Sequence, residues 1–203
     1  MRIVLASCLL VFLIGCSDTP KLAETAKEPE KPAEPVTGRQ AFQQMYPAAR
    51  TWGSDCQVIQ LLSIRLSELK AEPGKAGAWQ ATFESPRLSK SRTYTYSVIE
   101  AEGGLHKGVF PGSEESYSGP RGQSFPFLPA ALKIDSDKAY ETAVKQSTAY
   151  LKKNPDKPVL FILEQNKKHP DAAWRVVWGE SVSTSDYSVY VDASSGSVLE
   201  KTH

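Results

Sequence analysis

The sequence predicts an α+β fold of two similar units, each a single helix packed on an antiparallel sheet of three to four strands. Three observations predict it. Apolar residues recur at helical spacing twice, and each helical segment is followed by runs that alternate apolar with polar residues. An Ala-Trp pair also opens one strand in each half, at Ala78-Trp79 and Ala173-Trp174.

The first unit is read over 38–112. Thr37 followed by Gln40 has the spacing of a capping box, and Phe42, Met45 and Ala49 then share a helical face until Pro47, which predicts a short helix. Val58 to Leu66 reads as a strand with Val58, Leu62, Ile64 and Leu66 on one face, and Trp79, Ala81 and Phe83 line one face of the next. A third strand is expected over Arg92 to Ile99, with a turn at Gly103-Gly104 leading to Leu105 to Phe110.

Residues 113–133 read as a linker or long loop, because Pro111 to Pro129 is rich in Gly, Ser and Pro. Phe125, Phe127 and Leu128 within it are expected to fill a gap between the halves rather than form an exposed partner-binding tip. The second unit, 134–203, repeats the order. Ser136 caps a helix whose face is Tyr140, Ala143, Val144, Ser147 and Leu151, and Asn154-Pro155 stops it. Strands follow at Val159 to Leu163, at Trp174, Val176 and Trp178, at Tyr187 to Val191, and after the Ser194-Ser195-Gly196 turn at Ser197 to Lys201. A helix covers one apolar face of each sheet, and joining the two sheets edge to edge would protect exposed strands.

Ahead of the first unit lie Arg2, an apolar stretch from Ile3 to Ile14, a small residue and Cys16, the order of an export signal occupying 1–15. A dozen apolar residues are too few to span a bilayer, which takes about 20. Leu13-Ile14-Gly15-Cys16 resembles the lipobox of bacterial lipoproteins, which implies cleavage before Cys16 and acylation of its thiol. With Ser17 after the cysteine and Asp18 one place too late to retain the protein, the resemblance implies a lipid anchor on the outer membrane, facing the periplasm. Residues 16–37 then form the lipidated N-terminus and a tether rich in Pro, Glu, Lys and Ala, too poor in apolar residues to fold.

With Arg2 gone from 24 basic residues, the mature chain would balance 23 basic against 23 acidic ones. A nucleic-acid partner is disfavoured, since such proteins carry a basic excess. Cys56 would be the one cysteine left with a free thiol, read as a small buried hydrophobe in preference to a disulfide between copies. His106, His169 and His203 lie at no metal-ligand spacing, and His169, after Lys167-Lys168 and before Pro170, reads as part of a solvated turn. Asp135-Ser136-Asp137 is better explained by helix capping than by a cation site, and Asp192 by a turn than by acid catalysis. Trp79, Trp174 and Trp178 are expected in the core rather than on a ligand platform. No catalytic residue, metal site or cofactor is assigned.

The run from Tyr187 to Leu199, with Asp192 and the glycine turn at Gly196, resembles the end of a PepSY domain. Asp135 to Leu151, Val159 to Leu163 and Trp174 to Trp178 resemble that family's helix and first two strands. The first half, with Glu100-Ala101-Glu102-Gly103-Gly104-Leu105 at the corresponding ending, reads as a diverged copy. The resemblance implies extracytoplasmic binding, often discussed as peptidase inhibition. The expectation is a non-enzymatic module that binds a protein or peptide partner in the envelope, with a structural or assembly accessory of an outer-membrane complex as the alternative. An unrecognised hydrolase is the third reading, and no motif recommends it.

Overall fold

In the computed structural model residues 32–120 and 124–202 are described. The first helix, α1 (Gly38–Trp52), begins at the expected capping box: Thr37 Oγ1 accepts the Gln40 N–H at 3.3 Å, and Gln40 Oε1 accepts the Thr37 N–H at 2.9 Å. It runs 15 residues, through Pro47, and is longer than the short helix expected. Pro47 and the residue whose carbonyl it orphans, Gln43, both face solvent, where water can take the place of the lost bond, and the buried face of Ala41, Phe42, Met45 and Ala49 continues unbroken.

Short β1 (Val36–Thr37) precedes α1 and pairs with β3 (Lys75–Ala76). After α1 come β2 (Gln57–Ile64), β4 (Ala78–Ser85), β5 (Lys90–Ser97) and β6 (Gly108–Ser116), a meander of successive antiparallel neighbours. Two short segments follow, β7 (Ser124–Phe125) and a 3₁₀ turn at Pro129–Ala131, then α2 (Ser136–Gln146) and α3 (Thr148–Lys153). A second meander of β8 (Val159–Asn166), β9 (Ala173–Trp178), β10 (Tyr187–Asp192) and β11 (Val198–Thr202) completes the chain. The first strands of the two meanders pair with each other, antiparallel, giving one sheet in the order β11-β10-β9-β8-β2-β4-β5-β6, with β7 beside β8. The fold is therefore α+β with few helices and one large antiparallel sheet.

Helices cover one face. Trp79, Ala81 and Phe83 from β4 and Trp174, Val176 and Trp178 from β9 all point into that core, as their alternation predicts. Each half also repeats one contact. Trp79 Nε1 donates to the carbonyl of Val36, just before the N-cap of α1, and Trp174 Nε1 donates to the carbonyl of Ile134, just before the N-cap of α2, at 3.1 and 2.8 Å. The two indoles meet edge to face, 6.2 Å apart, over Gly38, where a β-carbon would lie 2.5 Å from the Trp174 ring. Only glycine lets α1 come so close.

Four expectations are corrected. On β2 the core face is Val58, Leu61 and Ser63, because a bulge between Val58 and Gln60 shifts the alternation and turns Leu62 and Ile64 to the other side. The second helix is capped by Asp135, and Ser136 is its first, fully buried residue. The helix also breaks at Ser147, whose hydroxyl donates to the Ala143 carbonyl at 2.7 Å in place of the helical bond. Finally, Pro111 to Ser116 belongs to β6 rather than to a linker; β6 is an edge strand, where proline removes no needed donor.

Glu84 is buried at the end of β4. Burial, and then the charge of Asp55, holds the Glu84 carboxyl above the ordinary glutamate range. Glu84 therefore favours the fold when protonated, at pH below the ordinary glutamate value, and that contribution is lost as pH rises through the raised one. Glu84→Gln is expected to raise the melting temperature at pH 7 by roughly 2–4 °C, the equivalent of about 1 kcal/mol in a domain of this size. At pH 4 the variant and parent should melt together. Calorimetry at both pH values checks this, and a variant that melts lower at pH 7 contradicts it.

Candidate functional site

Strands β2 and β8 touch only at their middles, where Gln60, Leu61 and Leu62 pair with Glu164, Leu163 and Ile162. They diverge in both directions. Towards the start of β2 the gap is filled by the chain itself: Ser124 and Phe125 pair with Asn166 and Gln165, and Phe127 exchanges main-chain hydrogen bonds with Val58 at 2.8 and 3.0 Å. Phe127 is buried there, as expected of a residue filling a gap between the halves, while Leu128 remains 63% exposed.

At the other end the ladder stops at a side chain. The Phe161 N–H donates to Ser63 Oγ at 2.8 Å, and no further β2–β8 pairing follows. A crevice of about 660 Å³ opens here, between the loop 65–77, the end of β2, the start of β8 and the side of α2. Ser63 and Phe161, 5% and 2% exposed, lie at its base, and Leu66, Leu69, Tyr140 and Val159 form its apolar walls.

The strand phase determines what the crevice is offered. The Pro158 carbonyl accepts the Gly179 N–H at 2.8 Å, so the even-numbered residues of β8 bond towards β9. Val159 and Phe161 therefore turn their main-chain groups the other way, towards β2; Ser63 takes the Phe161 N–H, and Val159 lies beyond the last residue that β2 engages. The loop that walls the crevice is held by α2: Ser136 Oγ donates to the Gly74 carbonyl at 2.6 Å, and Gly74, at φ 71°, lies too close to Asp137 for any β-carbon. Binding an extended main chain over an apolar base is what such an arrangement can do chemically.

The charged lining is Arg65, Lys70, Lys75 and Lys157 with Glu72 and Asp156. Glu72 accepts from Lys75 at 2.8 Å and raises its pKa, and Asp186, outside the lining, accepts from Lys157 at 2.8 Å. Glu180 likewise pairs with Arg65 from outside. Lys70 has no carboxylate partner among the described residues.

The residues singled out from sequence lie elsewhere. Cys16 and His203 are outside the described residues. His106 is exposed, bonded to Glu100 at 2.5 Å and packed at a tilt against Phe110. His169, expected in a solvated turn, is instead buried, because its ring packs at a tilt against Tyr190, centroids 4.4 Å apart, and Nε2 bonds Glu200 at 3.1 Å. Lys168 at the same carboxylate holds Glu200 below the ordinary range. Asp192 accepts the Ser194 and Ser195 N–H groups at 2.9 and 2.6 Å, a turn role; burial works against its charge, but these bonds outweigh it and hold its pKa low. Cys56 is buried beside β2, and burial pushes its thiol pKa up. Asp135 caps helices. Trp79, Trp174 and Trp178 are core.

The crevice residues escaped the sequence reading. One signal was available: Ser63 is polar within an apolar run, and Pro155 and Pro158 bracket the approach to β8. Among the described residues no helix is long and apolar enough to cross a membrane, and no three His, Cys, Asp or Glu side chains cluster as for a metal ion.

No protein-family model matches the chain, and no curated protein does. Among solved structures, a protein of Clostridium difficile 630 described as a putative lipoprotein superposes with a TM-score of 0.47 at 10% sequence identity, covering 79% of this chain and 91% of its own.

Proposed function

We propose that this chain is a lipid-anchored, non-enzymatic binding module of the cell envelope, held through Cys16 on the outer membrane facing the periplasm, which takes a protein or peptide partner in the crevice between β2 and β8. The observation that carries the reading is the main-chain edge of β8 at Val159, beyond the last residue that β2 engages, above a largely apolar base. Unpaired strand edges are ready templates for another chain. The lipobox-like Leu13-Ile14-Gly15-Cys16 supports the anchor, and the PepSY-like order of the second half supports extracytoplasmic binding. His169, Asp192 and Asp135 are each committed to a carboxylate bond, a turn or a cap, which favours a non-enzymatic reading.

Two measurements test it. Cys16→Ser is expected to move the protein from the membrane pellet to the soluble fraction or leave it uncleaved; a cleaved variant still in the pellet contradicts the anchor. A photo-crosslinker at Leu69 or Lys70, in cells, is expected to yield discrete adducts that the same group at Ser113 on β6 does not. Equal labelling at both places, or none at the crevice, overturns the site.

A further inference from the structure

Resting on that binding reading, we infer that the partner enters the crevice as an extended segment with acidic residues, added as a strand along the open edge of β8. The chain itself supplies the precedent. One edge of β8 meets three situations in succession: Asn166 and Gln165 pair with the inserted segment β7, Glu164 to Ile162 pair with β2 and Phe161 bonds the Ser63 hydroxyl at its end, and Val159 faces the crevice. Where β2 and β8 diverge at the far end, an extended segment enters the gap, pairs with β8, bridges β2 at Val58 and plugs the core with the Phe127 ring. The crevice is the same divergence at the opposite end of the same two strands. The Val159 N–H and carbonyl turned into it call for another backbone, and its largely apolar base calls for one side chain of comparable kind.

Charge sets the choice of segment. Four cations line the crevice against two carboxylates, Glu72 and Asp156, and Glu72 is already occupied by Lys75. Arg65 and Lys157 are held from outside by Glu180 and Asp186, but each keeps N–H donors beyond those one carboxylate uses. Lys70 is exposed on the loop and has no carboxylate partner among the described residues. An incoming acidic residue would meet Lys70 without first displacing an internal partner, whereas a basic segment would meet repulsion.

The test uses the full acylated chain in detergent and three fluorescent peptides: one alternating Glu with Val, the same peptide with Lys for each Glu, and the acidic peptide N-methylated at alternate residues. The acidic peptide is expected to bind at least about ten-fold more tightly than its Lys counterpart, with an affinity that falls as salt is added. N-methylation should abolish binding, because it removes main-chain donors and leaves the side chains intact. Lys70→Glu, an exposed change that should leave the melting temperature unmoved, should weaken the acidic peptide by about ten-fold. Equal binding of the acidic and Lys peptides overturns the charge preference, and undiminished binding of the N-methylated peptide overturns strand addition. If no peptide binds while Leu69 and Lys70 still crosslink in cells, this inference fails and the binding reading survives. If the crosslinks are missing as well, both fail.

Discussion

Trp174→Ala is expected to destabilise the protein by about 4 kcal/mol, in the range of buried aromatic truncations. The ring is fully buried, packs edge to face on Trp79, donates its indole N–H to Ile134 just before α2, and closes over Gly38 at the start of α1. It therefore touches the start of α1, the segment leading into α2, and both halves of the sheet. Trp174→Phe should keep most of the apolar contact and lose the hydrogen bond, at a cost of about 1–2 kcal/mol from the orphaned carbonyl and the smaller ring. Urea unfolding followed by circular dichroism measures both. A loss below about 1.5 kcal/mol for alanine would mean the site collapses to fill the space, and that the ring does not join the halves as the geometry implies.

The pairing of Trp79 with Trp174 explains why the sheet was largely legible in the sequence. Buried strands on a one-sided sheet alternate, and large rings at every second position leave little doubt about the facing. Where alternation failed, a local event had changed the phase: the bulge after Val58 turned Leu61 and Ser63 inwards and moved Leu62 and Ile64 to the outer face. Strand β6 was hidden for a different reason. Its residues beyond Val109 are exposed, so Gly, Pro, Ser and Glu occupy it without an apolar face, and only its hydrogen bonds to β5 define it as a strand. His169 was misjudged because neighbouring lysines suggest solvent, whereas its ring is covered by Tyr190, 21 residues later in the chain.

The crevice was illegible in principle. It arises from the angle between two strands whose pairing ends at Ser63, and its walls bring residues 63–77 together with Tyr140 and residues 155–161. Loop 65–77 carries little periodicity, and its position depends on the Ser136 hydroxyl holding Gly74. A sequence can show that two sheets need joining. It does not show how far along their edges the joining strands stay together.

Asp135→Ala should cost about 3 kcal/mol, several times the usual loss at a single helix cap. One carboxylate serves two helices. Oδ1 accepts the Ser136 N–H at 2.7 Å, at the start of α2, and the Arg39 N–H at 2.9 Å, in the first turn of α1, while Oδ2 accepts from Thr37 Oγ1 at 2.7 Å. Ser136 Oγ accepts the Gly38 N–H at 2.8 Å, so the two helix N-termini meet at one polar joint, where a negative charge compensates both dipoles. Asp135→Asn keeps one acceptor and loses the charge, and should fall about halfway. Thr37→Ala alone should cost about 1 kcal/mol, and in a double-mutant cycle with Asp135→Ala the two losses should fall short of additivity by a similar amount. Because Ser136 also holds Gly74, loosening this joint should free loop 65–77 and weaken peptide binding in the crevice before the protein unfolds. Amide exchange faster in loop 65–77 than in β10 would display that order, and uniform acceleration would show that the joint stabilises the whole fold without positioning the crevice wall.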